Sequence, residues 1–406
     1  MEKSDQQAPQ AAINLERRVK RQAWAPGHEL FASTAPGLEQ LCAAELTALG
    51  FEDVEPLAGG VAFSERLDGL YAANLWLRTA GRVLLRLKDF RVRTWEDLTR
   101  QAAAVPWEVW LKPGALLKVL VTLHESNLRH SGRIAEEVLA AAQARMASMG
   151  LTPPQAAPPQ AAEPVMIMVR GNERRASISL DSSGQHLHRR GYRLDPGQAP
   201  LREDLAAALL MLCGYDGQET LLDPMCGAGS LAIEAGLLAR RLPPRLGRGF
   251  AFQDWPSYRA ASWEFLQKKA GEQALPAPPR AILARDLEPK AIASTRANAR
   301  RAGLEESLII EQADFFSAPA PEGPPGLLVI NPPYGKRLGS VRLAREFAQN
   351  LGRRLKAQYA GWRVGVVLYR PEWEELLGLK PQARLVAPHG GLTVTMLCGQ
   401  VKPARA

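Results

Sequence analysis

The chain has 406 residues, of which 46% are hydrophobic, and its 51 Lys and Arg outnumber its 42 Asp and Glu by 9. No stretch approaches the roughly 18 consecutive apolar residues of a membrane span, and the polar start does not resemble a secretory signal. The four cysteines form no CxxC pair, which argues against structural zinc, an iron–sulfur cluster or a disulfide framework and predicts reduced thiols in a cytoplasmic protein. The basic surplus favours an anionic partner, nucleic acid first.

The N-terminal half shows two related patterns of strands and helices after a polar start. Residues 1–27 are polar and basic, which predicts a flexible tail. Residues 28–90 follow the order β-α-β-β-α-β of a small α+β sandwich. Residues 91–188 partly repeat that order and end in a predicted hairpin around Gly171 and Asn172. The Pro-, Ala- and Gln-rich stretch 152–160 is predicted to be an exposed, mobile loop.

A dense basic and aromatic segment, residues 186–193, leads into the C-terminal half. It could contact RNA phosphates and stack on a base, or it could be a solvated connector whose tyrosine packs at a domain seam. The pattern favours neither interpretation. The two histidines of the segment have no third ligand nearby, so we expect no metal site. The candidate RNA contacts are Arg189, Arg190, Tyr192 and Arg193.

Helix and strand patterns alternate through residues 189–406. This alternation predicts a Rossmann-like α/β domain, with a doubly wound parallel sheet and an antiparallel edge made by the last two strands. Ligands of such sheets bind outside the carboxyl ends of the strands. Four successive predicted strands end there in a polar side chain: Asp223, Asp286, Asp314 and Asn331.

The first of these strand ends opens a glycine-rich turn, DPMCGAGS at residues 223–230. It is not GxGxxG and has no Walker lysine, which disfavours a dinucleotide, a nucleoside triphosphate and an NAD-linked oxidoreductase. An acid beside glycines suits a cationic ligand, and S-adenosylmethionine carries a sulfonium and an ammonium. Asp286 would accept the ribose hydroxyls, and Asp314 the adenine amino group with Phe315 against the ring. The predicted cofactor contacts are Asp223, Pro224, Cys226, Gly227, Gly229, Asp286, Leu287, Asp314, Phe315 and Asn331.

The fourth strand ends in Asn-Pro-Pro-Tyr at residues 331–334. Two prolines stop the strand and stiffen the turn, which orients the Asn amide, the backbone carbonyls and the Tyr ring. These groups make a site for a planar group that bears an NH2, so methyl transfer to an exocyclic or amide nitrogen is predicted. The alternative is a Pro-rich turn with no chemistry.

Together these motifs resemble those of class I S-adenosylmethionine-dependent methyltransferases. More narrowly, the chain resembles THUMP-domain RNA guanine-N2 methyltransferases, a group that includes the bacterial 23S rRNA enzyme. The resemblance implies a ferredoxin-like domain at 28–90, a THUMP RNA-binding domain at 91–188 and the methyltransferase domain at 189–406. Its most specific parts are LHRRGYR (187–193), APLRE (199–203), DPMCGAGSLAIEA (223–235) and NPPYGKRLG (331–339), with an FAFxxW insertion near 250–255.

The resemblance implies methyl transfer to guanine N2 in RNA by a monomer without a metal, with 23S rRNA favoured and tRNA as the alternative. The Asn331 side chain and the Pro332 carbonyl would accept hydrogen bonds from the NH2, and Tyr334 would stack on a flipped-out base. Lys336 and Arg337 would join the RNA contacts. For Cys226, packing is favoured over a nucleophile for C5-pyrimidine chemistry.

Three other functions stay open. Asn-Pro-Pro-Tyr also occurs in enzymes that methylate adenine N6 or a protein glutamine amide, although the two N-terminal domains and the basic balance favour RNA guanine. A function of another class is a non-catalytic RNA-binding assembly factor with a relic Rossmann domain, which an intact set of cofactor residues argues against.

Overall fold

The computed structural model describes residues 7–194, 201–245, 247–333 and 341–402, without the side chains of residues 7–14 and 341. Within these ranges the strands form two sheets. Among the described helices, none is both long and apolar enough to cross a membrane.

The N-terminal half consists, in chain order, of α1 (Gln7–Ala23), β1 (His28–Thr34), α2 (Glu39–Ala48), β2 (Glu55–Leu57), β3 (Gly60–Glu65), α3 (Leu67–Trp76), β4 (Ala80–Arg91), α4 (Trp95–Ala103), α5 (Trp107–Trp110), β5 (Leu116–His124), α6 (Ser131–Ser148), β6 (Gln155–Ala156), β7 (Val165–Asn172) and β8 (Arg175–Asp181). The C-terminal half consists of α7 (Glu203–Leu212), β9 (Leu221–Asp223), α8 (Ser230–Ala239), α9 (Ala260–Gln273), β10 (Ile282–Asp286), α10 (Pro289–Arg301), β11 (Ile309–Gln312), β12 (Leu327–Ile330), α11 (Val341–Gln358), β13 (Arg363–Leu368), α12 (Glu374–Leu377), β14 (Leu379–His389) and β15 (Leu392–Val401).

The first sheet has eight strands in the order β2-β3-β1-β4-β8-β7-β5-β6 among the described residues. The long strand β4 pairs with β1 on one side and with β8 on the other. The predicted hairpin is present, because β7 and β8 pair antiparallel from Ile167 and Leu180 to Asn172 and Arg175. The segments predicted as ferredoxin-like and THUMP domains therefore share one continuous sheet.

Two expectations for this half need correction. The tail predicted over residues 1–27 contains the helix α1 from residue 7, and its Ala23 is fully buried. The apolar stripe of α1 packs on α5, and Arg18 lies 3.1 Å from the carboxylate of Glu108. The stretch 152–160 is largely exposed, as predicted, but it includes the two-residue edge strand β6, which pairs parallel with β5 at Leu116 and Leu117. In both cases contacts with distant residues order a segment whose composition alone predicts mobility.

The second sheet has the order β11-β10-β9-β12-β13-β15-β14. The first five strands in that order are parallel to their neighbours, with Ala284 of β10 opposite Asp223 of β9 and Leu328 of β12 opposite Leu222. The last strand, β15, runs antiparallel between β13 and β14. This arrangement confirms the predicted Rossmann-like class I methyltransferase fold with an antiparallel hairpin.

The connection between α8 and β10 joins the two halves. Phe252 in this connection is fully buried and stacks on Tyr71 of α3, with ring centroids 4.2 Å apart. Trp263 of α9 meets the same tyrosine edge-on. The insertion recognised near residues 250–255 therefore completes the core of the N-terminal half, although it lies within the C-terminal half in sequence.

Candidate functional site

The predicted site residues lie at one edge of the second sheet. Parallel strands β11, β10, β9 and β12 are neighbours, so their carboxyl ends meet at the same edge. Asp223 and Asp286 are the last residues of β9 and β10, and Asn331 directly follows β12. Asp314 follows β11 by two residues. The fold thus brings the four predicted strand-end side chains together.

Asp223 is an unusual buried acid. Its side chain is fully buried, and no basic side chain is among the groups that act on its carboxylate in the described part of the chain. Burial raises the pKa of this carboxyl well above its ordinary value, and the negative charge of Asp286 raises it further. The backbone N–H groups of Met225 and Ala232 partly offset this by favouring the ionised form. A cationic ligand beside Asp223 would relieve the cost of the buried charge.

The turn after Asp223 needs glycine at two positions. Gly227 and Gly229 have φ of 55° and 84°, in the left-handed region that favours glycine. A Cβ on Gly229 would lie 2.9 Å from Cγ2 of Thr295, too close for any other residue. A Cβ on Gly227 would meet no described atom within 4 Å. The backbone is therefore tightly packed at Gly229 and open to a ligand at Gly227.

Helix α10 supports this turn through two residues that the sequence did not indicate, Thr295 and Asn298. The Thr295 hydroxyl donates to the carbonyl of Gly227 at 2.9 Å, and the Asn298 amide donates to that of Ala228 at 2.8 Å. Both side chains are fully buried. The signal available in the sequence was two polar residues three positions apart on the inner face of a predicted helix. They fix the turn in the shape that a ligand meets.

Cys226 packs behind the same turn, with its sulfur 3.4 Å from the Thr295 hydroxyl. Burial raises the pKa of the Cys226 thiol well above its ordinary value. A thiolate nucleophile is therefore disfavoured at this position, because nucleophilic cysteines need a lowered pKa.

Asp286 links the second strand end to the glycine turn. One of its carboxylate oxygens accepts a hydrogen bond from the backbone N–H of Gly227 at 2.9 Å, and the other from that of Glu288 at 3.0 Å. The next side chain, Leu287, is 59% exposed. A carboxylate oxygen accepts more than one hydrogen bond, so Asp286 still has capacity for hydroxyl donors next to an apolar contact.

The third strand end carries Asp314 and two neighbouring phenylalanines. Asp314 accepts from the backbone N–H of Phe316 at 3.0 Å and from the Ser317 hydroxyl at 3.1 Å. The ring of Phe315 is buried, and one of its faces stacks on Tyr359 with ring centroids 5.5 Å apart. That this ring lies against a bound base stays a prediction. The neighbouring Phe316 is the partly exposed ring at this edge.

The fourth strand end carries a partner that the sequence did not indicate. Tyr369, which follows β13, donates its hydroxyl hydrogen to the side-chain oxygen of Asn331 at 3.3 Å. Pro332 and Pro333 line an apolar cavity beside this pair, together with Phe347, Leu351, Tyr369 and Trp373. Tyr334, Lys336 and Arg337 lie outside the described residues.

The predicted RNA contacts mostly form a buried network instead. Arg190 is fully buried, and its Nε donates to Glu234 of α8 at 3.2 Å. The hydroxyl of Tyr192 donates to the same carboxylate at 3.3 Å, and only 4% of Tyr192 is exposed. The prediction that both residues contact RNA is wrong. A cation in a basic run can be paired with an acid 44 positions away, which the run itself does not reveal.

The other two residues of that set have different environments. Arg193 donates to the backbone carbonyl of Leu201 at 3.0 Å, to the Ser230 hydroxyl at 3.2 Å and to Glu203 at 3.0 Å. It therefore braces the start of α8 beside the glycine turn, which corrects its assignment to RNA. Arg189 is exposed and stays available for an anion. Over the described residues there is no group of three or more His, Cys, Asp or Glu arranged to hold a metal ion.

Comparisons with known proteins agree with this geometry. Residues 190–396 match the family model described as RMKL-like, methyltransferase domain. Residues 29–84 match the RlmL ferredoxin-like domain.

Two curated relatives cover nearly the whole chain. The putative RNA methyltransferase slr0064 of Synechocystis is 34% identical over 380 residues, which are 90% of this chain and 95% of the relative. The ribosomal RNA large subunit methyltransferase K/L of Syntrophotalea carbinolica is 34% identical over 390 residues, or 91% of this chain. The chain spans about half (53%) of the length of that K/L relative.

A solved structure has the same overall arrangement. The crystal structure of SMU.472, a putative methyltransferase complexed with SAH, superposes with a TM-score of 0.82 at 26% identity, covering 94% of this chain and all of that one. From the match over residues 190–396 and the alignment with 95% of slr0064, the chain belongs to the RMKL-like methyltransferase family.

Proposed function

We propose that the protein transfers a methyl group from S-adenosylmethionine to the exocyclic N2 of a guanine in RNA, with 23S rRNA as the favoured substrate. The observation that carries the proposal is the pairing of two neighbouring strand ends. A buried, unneutralised acid at a glycine turn lies on β9, and an oriented asparagine amide follows β12.

The residues of the first strand ends fit S-adenosylmethionine, the cofactor of this methyltransferase family. Asp223 would neutralise its positive charge, and the open backbone at Gly227 would allow close approach. Asp286 would accept the ribose hydroxyls beside the exposed Leu287, and Asp314 would face the adenine end. When bound, the sulfonium supplies an activated methyl group.

The chain's own contribution to the reaction is orientation of the amine. The lone pair of guanine N2 is delocalised into the ring, so the amine is a poor nucleophile. The Asn331 oxygen and the Pro332 carbonyl would accept the two N–H hydrogens, which turns the lone pair toward the methyl group and stabilises the charge that develops on nitrogen. The donated hydrogen bond from Tyr369 leaves the second lone pair of the Asn331 oxygen free for the substrate.

The RNA class is inferred from the relatives and from charge. One relative is named an RNA methyltransferase and another a large-subunit ribosomal RNA methyltransferase. The net charge of +9 favours a polyanion. Flipping of the target base onto Tyr334 belongs to the same proposal, because an exocyclic amine in a paired helix is not accessible to a buried site.

The test is methylation of a 23S rRNA transcript by purified protein, with mass analysis of the nucleosides. We expect N2-methylguanosine, and Asn331→Ala should lower turnover by about 100-fold or more while the dissociation constant of S-adenosylmethionine changes little. Asn350→Ala is the matched control, because Asn350 is an exposed asparagine on α11. N6-methyladenosine as the product would overturn the guanine assignment, and undiminished turnover of Asn331→Ala would overturn the role of this amide.

A further inference from the structure

Three arginines meet at the seam between the two halves of the molecule, and the proposed reaction uses none of them. Arg189 lies in the segment that follows β8, and Arg245 and Arg248 lie in the connection between α8 and α9. We call them the arginine cluster. Arg248 Nη1 donates to the backbone carbonyl of Arg189 at 3.0 Å, and Arg245 Nη1 approaches that of Gln185 at 3.5 Å. Both arginines of the connection therefore contact the backbone of the segment that contains Arg189.

Arg245 is buried without an acid. Only 3% of the residue is exposed, and its guanidinium lies 4.7 Å above the ring of Phe250. Its Nε and Nη2 are buried and form no hydrogen bond to any described atom. Burial, followed by the charges of Arg248 and Arg190, lowers the pKa of Arg245 to about 9. The group is still a cation at neutral pH, so two of its nitrogens carry N–H groups that have no acceptor among the described residues.

Arg248 is less buried than Arg245 but also has a side-chain nitrogen without an acceptor. Its Nη2 is buried and has no hydrogen-bond partner among the residues described. Burial and then the charge of Arg189 lower the pKa of Arg248. Two acids raise the pKa of these arginines through their charge: Asp181 acts on Arg245, and Glu163 acts on Arg248. Asp181 already binds Arg82, and Glu163 is exposed. Neither neutralises the cluster.

Two other buried arginines at this seam have the acidic partner that Arg245 lacks. Arg190 and Arg78 are equally buried, but both face the carboxylate of Glu234 at 3.2 and 3.8 Å. An unpaired buried cation destabilises the folded state, and like charges close together add to that effect. An anion between Arg245, Arg248 and Arg189 would satisfy the unused donors and offset the repulsion. Guanidinium groups match phosphate oxygens with paired hydrogen bonds.

We propose that the arginine cluster is a binding site for one phosphate group of the RNA backbone at the seam between the N-terminal half and the methyltransferase domain. The proposal rests on RNA as the substrate, and it places a contact outside the pocket for the base. Free inorganic phosphate has the same chemistry, so the test separates the two sources.

The first measurement is thermal unfolding of the full chain in sodium phosphate and in sodium chloride at equal ionic strength. A ligand that binds the folded state raises Tm. We expect phosphate to raise Tm of the wild type and of Arg280→Gln, and this rise to be lost in Arg248→Gln. Arg280 is an exposed arginine just before β10, at the opposite edge of the sheet from the strand-end site. Arg248→Gln is preferred to a change at buried Arg245, which could fail to fold.

The second measurement is the salt dependence of binding to a 23S rRNA transcript. Loss of one phosphate contact lowers the slope of log affinity against log salt by about 1. We expect that change in Arg248→Gln and a further change in Arg189→Gln combined with it, but none in Arg280→Gln. Slopes equal to that of the wild type overturn the site as an RNA contact, and a Tm effect without a slope change assigns it to free phosphate instead. Equal losses in Arg280→Gln would show a general charge effect and also overturn the proposal. If RNA binds with this slope but no guanine is methylated, the proposed function fails and the phosphate site stands.

Discussion

At the scale of single residues, the site depends on side chains whose surroundings are unlike those of their residue type. Aspartate is rarely buried without a basic partner, yet Asp223 is fully buried and no described basic side chain neutralises it. The sequence indicated an acid that suits a cation. It did not indicate that the acid is buried. Burial makes the protonation state of the carboxyl depend on whether a cationic ligand is bound.

This environment leads to a prediction about protons. Because burial raises the pKa of Asp223, the folded protein favours the protonated carboxyl, and its ionisation as pH rises through that pKa destabilises the fold. A bound cation favours the ionised form, so S-adenosylmethionine should bind more tightly as pH rises through this pKa and should release a proton below it. Calorimetric titrations in two buffers of different ionisation enthalpy measure the release.

Asp223→Asn should abolish the buffer-dependent heat and weaken cofactor binding. Asp216→Asn, at an exposed acid after α7, should leave both unchanged. Identical heats in both buffers for the wild type, at every pH between 5 and 8, would show that Asp223 does not release a proton when the ligand binds.

At the scale of elements, the strand ends act in pairs. Strands β12 and β13 are parallel, with Ile330 opposite Val366, so the residues that follow them lie side by side. Tyr369 reaches the side-chain oxygen of Asn331 for this reason. The Asn-Pro-Pro turn was recognisable from its letters, because two prolines end a strand in a defined way. The partner of this turn, Tyr369, was not recognisable, because a tyrosine after a strand is common and gives no specific signal.

We therefore predict that Tyr369→Phe lowers kcat while the dissociation constant of S-adenosylmethionine stays the same. A neutral hydrogen bond contributes about 1 kcal/mol, which corresponds to a roughly five- to tenfold loss if it orients the amide in the transition state. Tyr215→Phe is the matched control, because the buried Tyr215 hydroxyl forms no hydrogen bond in the part of the chain described.

A double-mutant cycle separates positioning from general stability. In the Asn331→Ala background, Tyr369→Phe should have little further effect on kcat, because the group that it orients is gone. Additive losses would mean that Tyr369 acts independently of Asn331.

At the scale of the whole molecule, the two halves are joined by a polar network as well as by apolar packing. Glu234 of α8 lies at its centre, fully buried between Arg190, Arg78 and the Tyr192 hydroxyl. Arg78 follows α3 of the N-terminal half, and its guanidinium also donates to the Leu242 carbonyl at 2.6 Å. The same α8 begins at the glycine turn, so the seam and the cofactor site share one helix.

Glu234→Ala should lower the free energy of unfolding by about 3–5 kcal/mol, because it leaves buried cations without an acid. Glu272→Ala removes a glutamate from an exposed pair with Lys268 on α9, and should cost at most about 1 kcal/mol. Denaturant unfolding followed by circular dichroism compares the two variants. Similar losses in both would mean that the buried network does not hold the seam.

The residue patterns alone determined the fold class of the C-terminal half, and they predicted the edge of the sheet at which a ligand binds. Alternating helix and strand periods predict a parallel sheet, and the polar residue at each strand end identifies the ligand edge, because these signals are local. Guanine N2 as the target, like the assignment of individual contacts to ligand or base, stays a prediction.

Only the tertiary structure decided which charged and aromatic residues face solvent and which face each other. The basic segment 186–193 looked like an RNA contact, yet Arg190 and Tyr192 are buried against Glu234, while Arg189 stays exposed. The polar N-terminal segment looked mobile, yet α1 packs on the domain that follows it. The physical reason is that a side chain's charge is encoded locally, whereas its burial and its partner depend on residues tens or hundreds of positions away.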